Sequence, residues 1–132
     1  MSKDSNPNTN LETLHTYSRA QALEDGQLVD VTEAAREVGF TMPVALTAIA
    51  FGSYVTTPER VSGQDEAGRL WDILLTLWFV IKTSPATSSQ LEFELLVRNS
   101  DKYPARTVTL KAICGPGDTL EPVLTVMMLD ED

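Results

Sequence analysis

Along Gln64 to Lys82, QDEAGRLWDILLTLWFVIK, apolar residues recur at intervals of one, three and four: Leu70, Trp71, Leu74, Leu77, Trp78 and Ile81. On a period of about 3.6 residues these fall on one face, the expected core face of a long central helix. Asp65, Arg69, Asp72 and Thr76 fall opposite, with Asp65 four residues before Arg69 in the favoured order for a surface ion pair. Ile73, Leu75, Phe79 and Val80 flank that narrow polar stripe, so the C-terminal half of the helix is apolar nearly all round. It needs cover from other elements or from a second subunit. Thr76 interrupts the apolar run, which falls short of the roughly 20 residues that a bilayer demands.

Upstream, the pattern is one of short helices. Ser18 caps RAQALED and Gly26 ends it in a left-handed position. Leu28 and Val29 make a brief extended link. Asp30, or Thr32 if the start is later, precedes EAAREV, with Glu33 as the capping-box partner of Asp30 and Gly39 closing the helix. Thr41 is expected to cap a third helix with Pro43 in its first turn, and Val44, Ala45, Ala48, Ile49, Phe51 and Val55 supply its apolar contacts up to Thr57-Pro58. Beyond the connector TSPATSSQ at 83–90 the period changes to two. Leu91, Phe93, Leu95 and Val97 alternate with polar residues, as do Val108, Leu110, Ala112 and Cys114, while 123–129 is apolar on both faces except at Thr125. The turns NSDKYPA and GPGDTLEP make hairpin-length links. The expected fold is α+β: three shorter helices and the long central one, packed on a C-terminal three-stranded antiparallel meander. Residues 1–16, poor in apolar side chains, read as a mobile arm before a single domain at 17–132.

Charge narrows the function. Nineteen Asp and Glu against ten Lys and Arg leave a formal charge of −9. Direct nucleic-acid binding, which needs clustered cations, is not expected. A basic protein is the partner such a surface suits. Glu24, Asp25, Asp30, Glu33 and Glu37 gather within two short helices relieved only by Arg19 and Arg36, and form the candidate partner-binding set; Asp130-Glu131-Asp132 adds a second acidic run. Cys114, the single cysteine, excludes an internal disulfide, and with a polar start lacking an apolar signal region it points to the cytoplasm. No catalytic set, cofactor or metal site is expected. Gly115-Pro116-Gly117-Asp118 lacks the Lys and longer glycine pattern of a phosphate loop and reads as a tight turn, Cys114 as a small buried hydrophobe, and His15 as an exposed histidine without a positioned partner.

YSRAQALEDGQLVDVTEAAREVGF at 17–40, MPVALTA at 42–48, QDEAGRLWDILL at 64–75, FELL at 93–96 and GPGDTLEPVLTVMML at 115–129 together resemble a family of small bacterial proteins of unknown function, found on plasmids, phages and other mobile elements. The longer polar start and the less polar IAFGSYVTT depart from that pattern. The resemblance implies a genetic setting and no catalytic residues. It makes a non-enzymatic inhibitor of a nucleic-acid-targeting host defence, of anti-CRISPR or anti-restriction type, the leading expectation. A structural or regulatory homodimer using Phe79 and Val80 or the edge of the third strand is the alternative, and a small enzyme with an acidic cleft a third class.

Overall fold

Ser18 opens the first helix, α1 (Arg19–Asp25), through a reciprocal capping box with Gln21, and Gly26 closes it at φ 83°, where a side chain would strain the backbone. The chain then runs through β1 (Leu28–Asp30) into α2 (Thr32–Val38). Asp30 accepts from the Thr32 amide at 3.0 Å and no box forms with Glu33. Gly39 ends α2 at φ 137°, and Trp78 lies against it: a Cβ there would come within 2.7 Å of the indole nitrogen. β2 (Val44–Thr47), α3 (Ala48–Tyr54), α4 (Glu66–Thr83), β3 (Gln90–Val97), β4 (Arg106–Pro116) and β5 (Pro122–Met128) follow. This computed structural model describes residues 17–59, 61–84 and 89–131; the arm at 1–16 with His15, and the middle of the 83–90 connector, lie outside the described residues.

The α+β class holds, but the sheet is five-stranded and mixed, in the order β1-β2-β5-β4-β3. β3, β4 and β5 pair antiparallel, and β5 then pairs parallel with β2 through Val44 with Leu124, Ala45 with Thr125 and Leu46 with Val126. β1 closes the far edge antiparallel to β2. The expected three-stranded meander is thus the C-terminal part of a larger sheet. The expected helix from Thr41 is corrected as well. Its first turns are the strand β2, and α3 begins only at Ala48, where the Thr47 hydroxyl accepts from the Ala50 amide at 3.2 Å. Val44, Ala45 and Leu46 are all buried, so no alternation marks the strand. The "brief link" at Leu28 and Val29 is β1.

α2, α3 and α4 cover one face of the sheet. Leu46, Ile73, Leu74, Leu77, Leu110 and Val126 are fully buried between the layers. Thr125 points to the opposite face, where Arg19 of α1 donates to its hydroxyl at 2.7 Å. α4 starts just after its cap Asp65, within the expected Gln64–Lys82 stretch, but it is turned by less than one residue step from the expected orientation. Trp71 and Ile81, expected in the core, are 39% and 36% exposed, whereas Arg69, expected in solvent, is 6% exposed beside Ile73. None of the described helices is long and apolar enough to cross a membrane.

Leu77→Ala should lower the stability by about 2–5 kcal/mol, the usual cost of emptying a buried leucine site. Trp71→Ala should cost less, although it removes more atoms, because much of that ring is already in water. Chemical denaturation of the two variants checks the order, and the reverse ranking would contradict the orientation of α4.

Candidate interaction surfaces

The five carboxylates singled out in the sequence stand around the β1 edge rather than in one cluster. Glu24 and Asp25 lie on α1 and Glu33 and Glu37 on α2, the two helices flanking β1 from opposite faces of the sheet, with Asp30 between them; all five are exposed. Asp25 accepts from the Tyr17 hydroxyl at 2.6 Å, a bond that holds the phenol proton on and raises the Tyr17 pKa. Glu24, Glu33 and Glu37 make no ion pair among the described residues, where Arg98–Asp101 at 2.6 Å is the only one. Arg36 remains exposed on α2. Arg19 does not neutralise this rim: its guanidinium turns over the sheet to Thr125 and to the Leu124 carbonyl at 2.9 Å. Burial lowers its pKa, and Asp30, Asp118 and Glu121 oppose that shift.

Asp118, in the turn between β4 and β5, accepts from the amides of Arg19 at 2.8 Å and Ala20 at 2.9 Å. These are unpaired first-turn donors of α1, so the glycine-rich turn docks that helix with a carboxylate instead of cradling a phosphate. The Ala20 and Arg19 amide bonds hold the Asp118 carboxyl below the ordinary aspartate range. Glu131, in the C-terminal acidic run, accepts from the Thr47 hydroxyl at 2.7 Å and the Met128 amide at 2.9 Å. Asp132 lies outside the described residues.

Arg69 is the one buried charge among the described residues, and sequence reasoning missed it. Its Nε donates to Gln64 at 2.9 Å, one terminal nitrogen to the Thr56 carbonyl at 3.0 Å, and the other to the Arg98 carbonyl at 2.7 Å and the Asn99 side chain. No carboxylate among the described residues meets it, and burial and then the nearby Arg98 lower its pKa. The available signal was its spacing, four before Ile73 and eight before Leu77, which continues the buried stripe. Its expected partner Asp65 caps the helix instead, accepting from Gly68 at 2.7 Å.

Cys114 is half-buried within β4 and lines a small apolar hollow of about 160 Å³ with Met42, Ile81, Leu91, Ala112 and Leu124. Among the described residues no three His, Cys, Asp or Glu side chains converge as a metal would require. The remaining surface of note is the outward side of α4. Trp71, Leu75 and Phe79 stand there 39%, 43% and 62% exposed. Val80, paired with Phe79 in the expected dimer contact, packs against the core instead. β5, the third strand of the expected meander, has neighbours on both sides and offers no edge.

A helix layer on one face of a mixed five-stranded sheet, with an acidic rim at one edge, defines a small α+β domain. The chain belongs to the family of unknown function DUF6573, whose model matches residues 6–132. No curated protein and no solved structure matches it.

Removing the Arg69 guanidinium leaves unpaired acceptors on three segments, at Thr56, Gln64 and Arg98-Asn99, that water can partly reach. Arg69→Met should therefore destabilise by about 1–3 kcal/mol, since the desolvation cost of an unpaired acceptor applies only in part where water can reach it. Arg69→Lys should recover little of that, since a compact ammonium cannot reproduce the planar fork. Urea unfolding midpoints check both, and full rescue by lysine would show that charge alone matters there.

The lowered carboxyls of Asp118, Asp101 and Glu121 bind protons more readily unfolded than folded. Their contribution is present at neutral pH and is lost as pH falls below the ordinary aspartate value of 3.8 and through the folded values. Asp118→Asn should melt below the parent at pH 7, and the gap should narrow in acid. A gap constant with pH would mean that the carboxylate charge is not what docks α1.

Proposed function

We propose that the chain is a non-enzymatic protein-binding module of a bacterial mobile element that presents the acidic rim around β1 to a basic host protein. The observation that carries this reading is the uncompensated charge of that rim. Glu24, Glu33 and Glu37 stand exposed without ion pairs among the described residues, while Arg19 is drawn away over the sheet. Complementary potential speeds encounter and selects against other acidic partners. In the genetic setting implied by the sequence resemblance, the basic partner is a nucleic-acid-handling component of host defence, and binding inhibits it. The partner surface of such a protein is itself built for phosphates, so carboxylates at a folded edge compete for the same cations.

The test is affinity capture from bacterial lysate, with captured proteins identified by mass spectrometry and repeated across salt. Capture of a basic protein should weaken as salt shortens the Debye length from about 10 Å at 0.1 M to about 3 Å at 1 M. Glu33→Lys with Glu37→Lys should abolish capture. Glu92→Lys with Glu94→Lys, a matched charge change on β3 at the opposite edge of the sheet, should leave it. Equal loss in both variants would assign binding to net charge, and indifference to both would remove the rim from function.

A further inference from the structure

β1 is a margin of the sheet, with β2 on one side only. The Gln27 carbonyl accepts from the Ala48 amide at 2.9 Å and the Val31 amide donates to the Val44 carbonyl at 3.0 Å, so Gln27, Val29 and Val31 turn backbone groups toward β2. In an antiparallel ladder that direction alternates, and Leu28 and Asp30 turn theirs outward. Outside the ladder, no backbone hydrogen bond among the described residues reaches either of them. A strand with one side unpaired is a template for another strand.

Beside this edge lies an open hollow of about 500 Å³. Its apolar lining is Val29, Ala34, Phe51 and Leu70, all half-buried against the core. Its acidic lining is Asp30 and Glu33, both exposed, and Glu33 makes no ion pair among the described residues. Val29 packs on the helix side of the sheet with Leu46, its partner across the ladder. A residue set beside Val29 on an added strand directs its side chain to that same face, where the hollow is. A long aliphatic stem ending in a cation suits both linings, because the stem covers apolar surface while the charge stays in water near the carboxylates. We infer that the partner contributes an extended segment that pairs with the outer edge of β1 and sets an arginine or lysine side chain in this hollow. The inference rests on the acidic rim being the partner-binding surface and specifies how that rim is read.

Charge selects a basic foreign segment over the occupants that the protein itself could supply. Two copies pairing through their β1 edges would bring two acidic rims face to face, and like charges on paired strands repel. Residues 1–16 hold Lys3 against Asp4 and Glu12, so their side chains bring no net cation to the edge.

The probe is a synthetic peptide of alternating threonine and arginine, about seven residues long with capped ends, added to the full chain. Hydrogen exchange is read at single amides by nuclear magnetic resonance. In the free chain the Leu28 and Asp30 amides should exchange faster than those of Val29 and Val31, and excess peptide should slow them by about tenfold or more. Strand pairing engages only alternate amides of the peptide. N-methylation of one alternate set should therefore weaken binding by about tenfold or more, and N-methylation of the other set should leave it. Nuclear Overhauser contacts should join an arginine stem to the Phe51 ring, and their absence overturns the use of the hollow. Binding that slows neither amide, or that both methylation patterns weaken alike, overturns strand addition and leaves a rim read by charge alone. Leu28 and Asp30 amides already slow in the free chain overturn it as well, since another occupant then holds the edge. Slowing at Glu92 and Glu94, which turn outward on β3, would place the added strand at the other margin. A peptide that does not bind overturns the inference, while capture of a basic protein that is lost with Glu33→Lys and Glu37→Lys would still support the rim.

Discussion

A guanidinium withdrawn from water must find acceptors for its donors, and at Arg69 those acceptors come from parts of the chain that are otherwise only loosely related. The Thr56 carbonyl ends the α3 region, Gln64 precedes α4, and Arg98 with Asn99 follows β3. The segment between α3 and α4 has little regular structure of its own, so this convergence fixes where α4 begins against the sheet. The outer edge of the same corner is pinned by Asp101, which accepts from the Ser62 amide and hydroxyl and pairs with Arg98. With carbonyls rather than a carboxylate around it, Arg69 keeps its charge in a site shaped by backbone geometry. That is a demanding arrangement, because carbonyl positions cannot adjust as a side chain would.

The orientation of α4 follows from it. Seating Arg69 on the buried side carries Ile73 and Leu77 inward and leaves Trp71, Leu75 and Phe79 outside. Periodicity found the helix, because every turn from Leu70 onward carries large apolar residues, but it set Asp65 against Arg69 and not at the cap. It could not choose the face, because the helix is apolar around most of its circumference and the deciding residue is a cation. Hydrophobicity scales place arginine in solvent, and only the acceptors waiting in three distant segments reverse that.

The sheet shows a similar division. β3 and β4 alternate, their turns are rich in turn-forming residues, and the antiparallel pairing of β3, β4 and β5 was legible. β2 was not, since a strand covered on both faces reads as a plain apolar run, and Pro43 before it suits the first turn of a helix equally well. At the candidate surface, composition located the acidic residues but not their disposition on either side of the β1 edge. Nor could it show that Arg19 and Asp118, far apart in sequence, meet across the sheet, because contacts between distant segments leave no local pattern.

The parallel pairing of β2 with β5 has a temporal side. β2 is made early and its neighbour late: Val44 waits for Leu124, and β1 and α1 depend on the strand that results. During synthesis the first half of the chain therefore holds helices with an apolar face and no sheet to lay it on. β5 then enters between two strands already made, as the middle of the sheet rather than its margin. Contacts so distant in sequence close slowly. A nascent chain of this architecture is most exposed to aggregation and to proteases just before β5 emerges, and a ribosome that pauses there leaves its product without a centre.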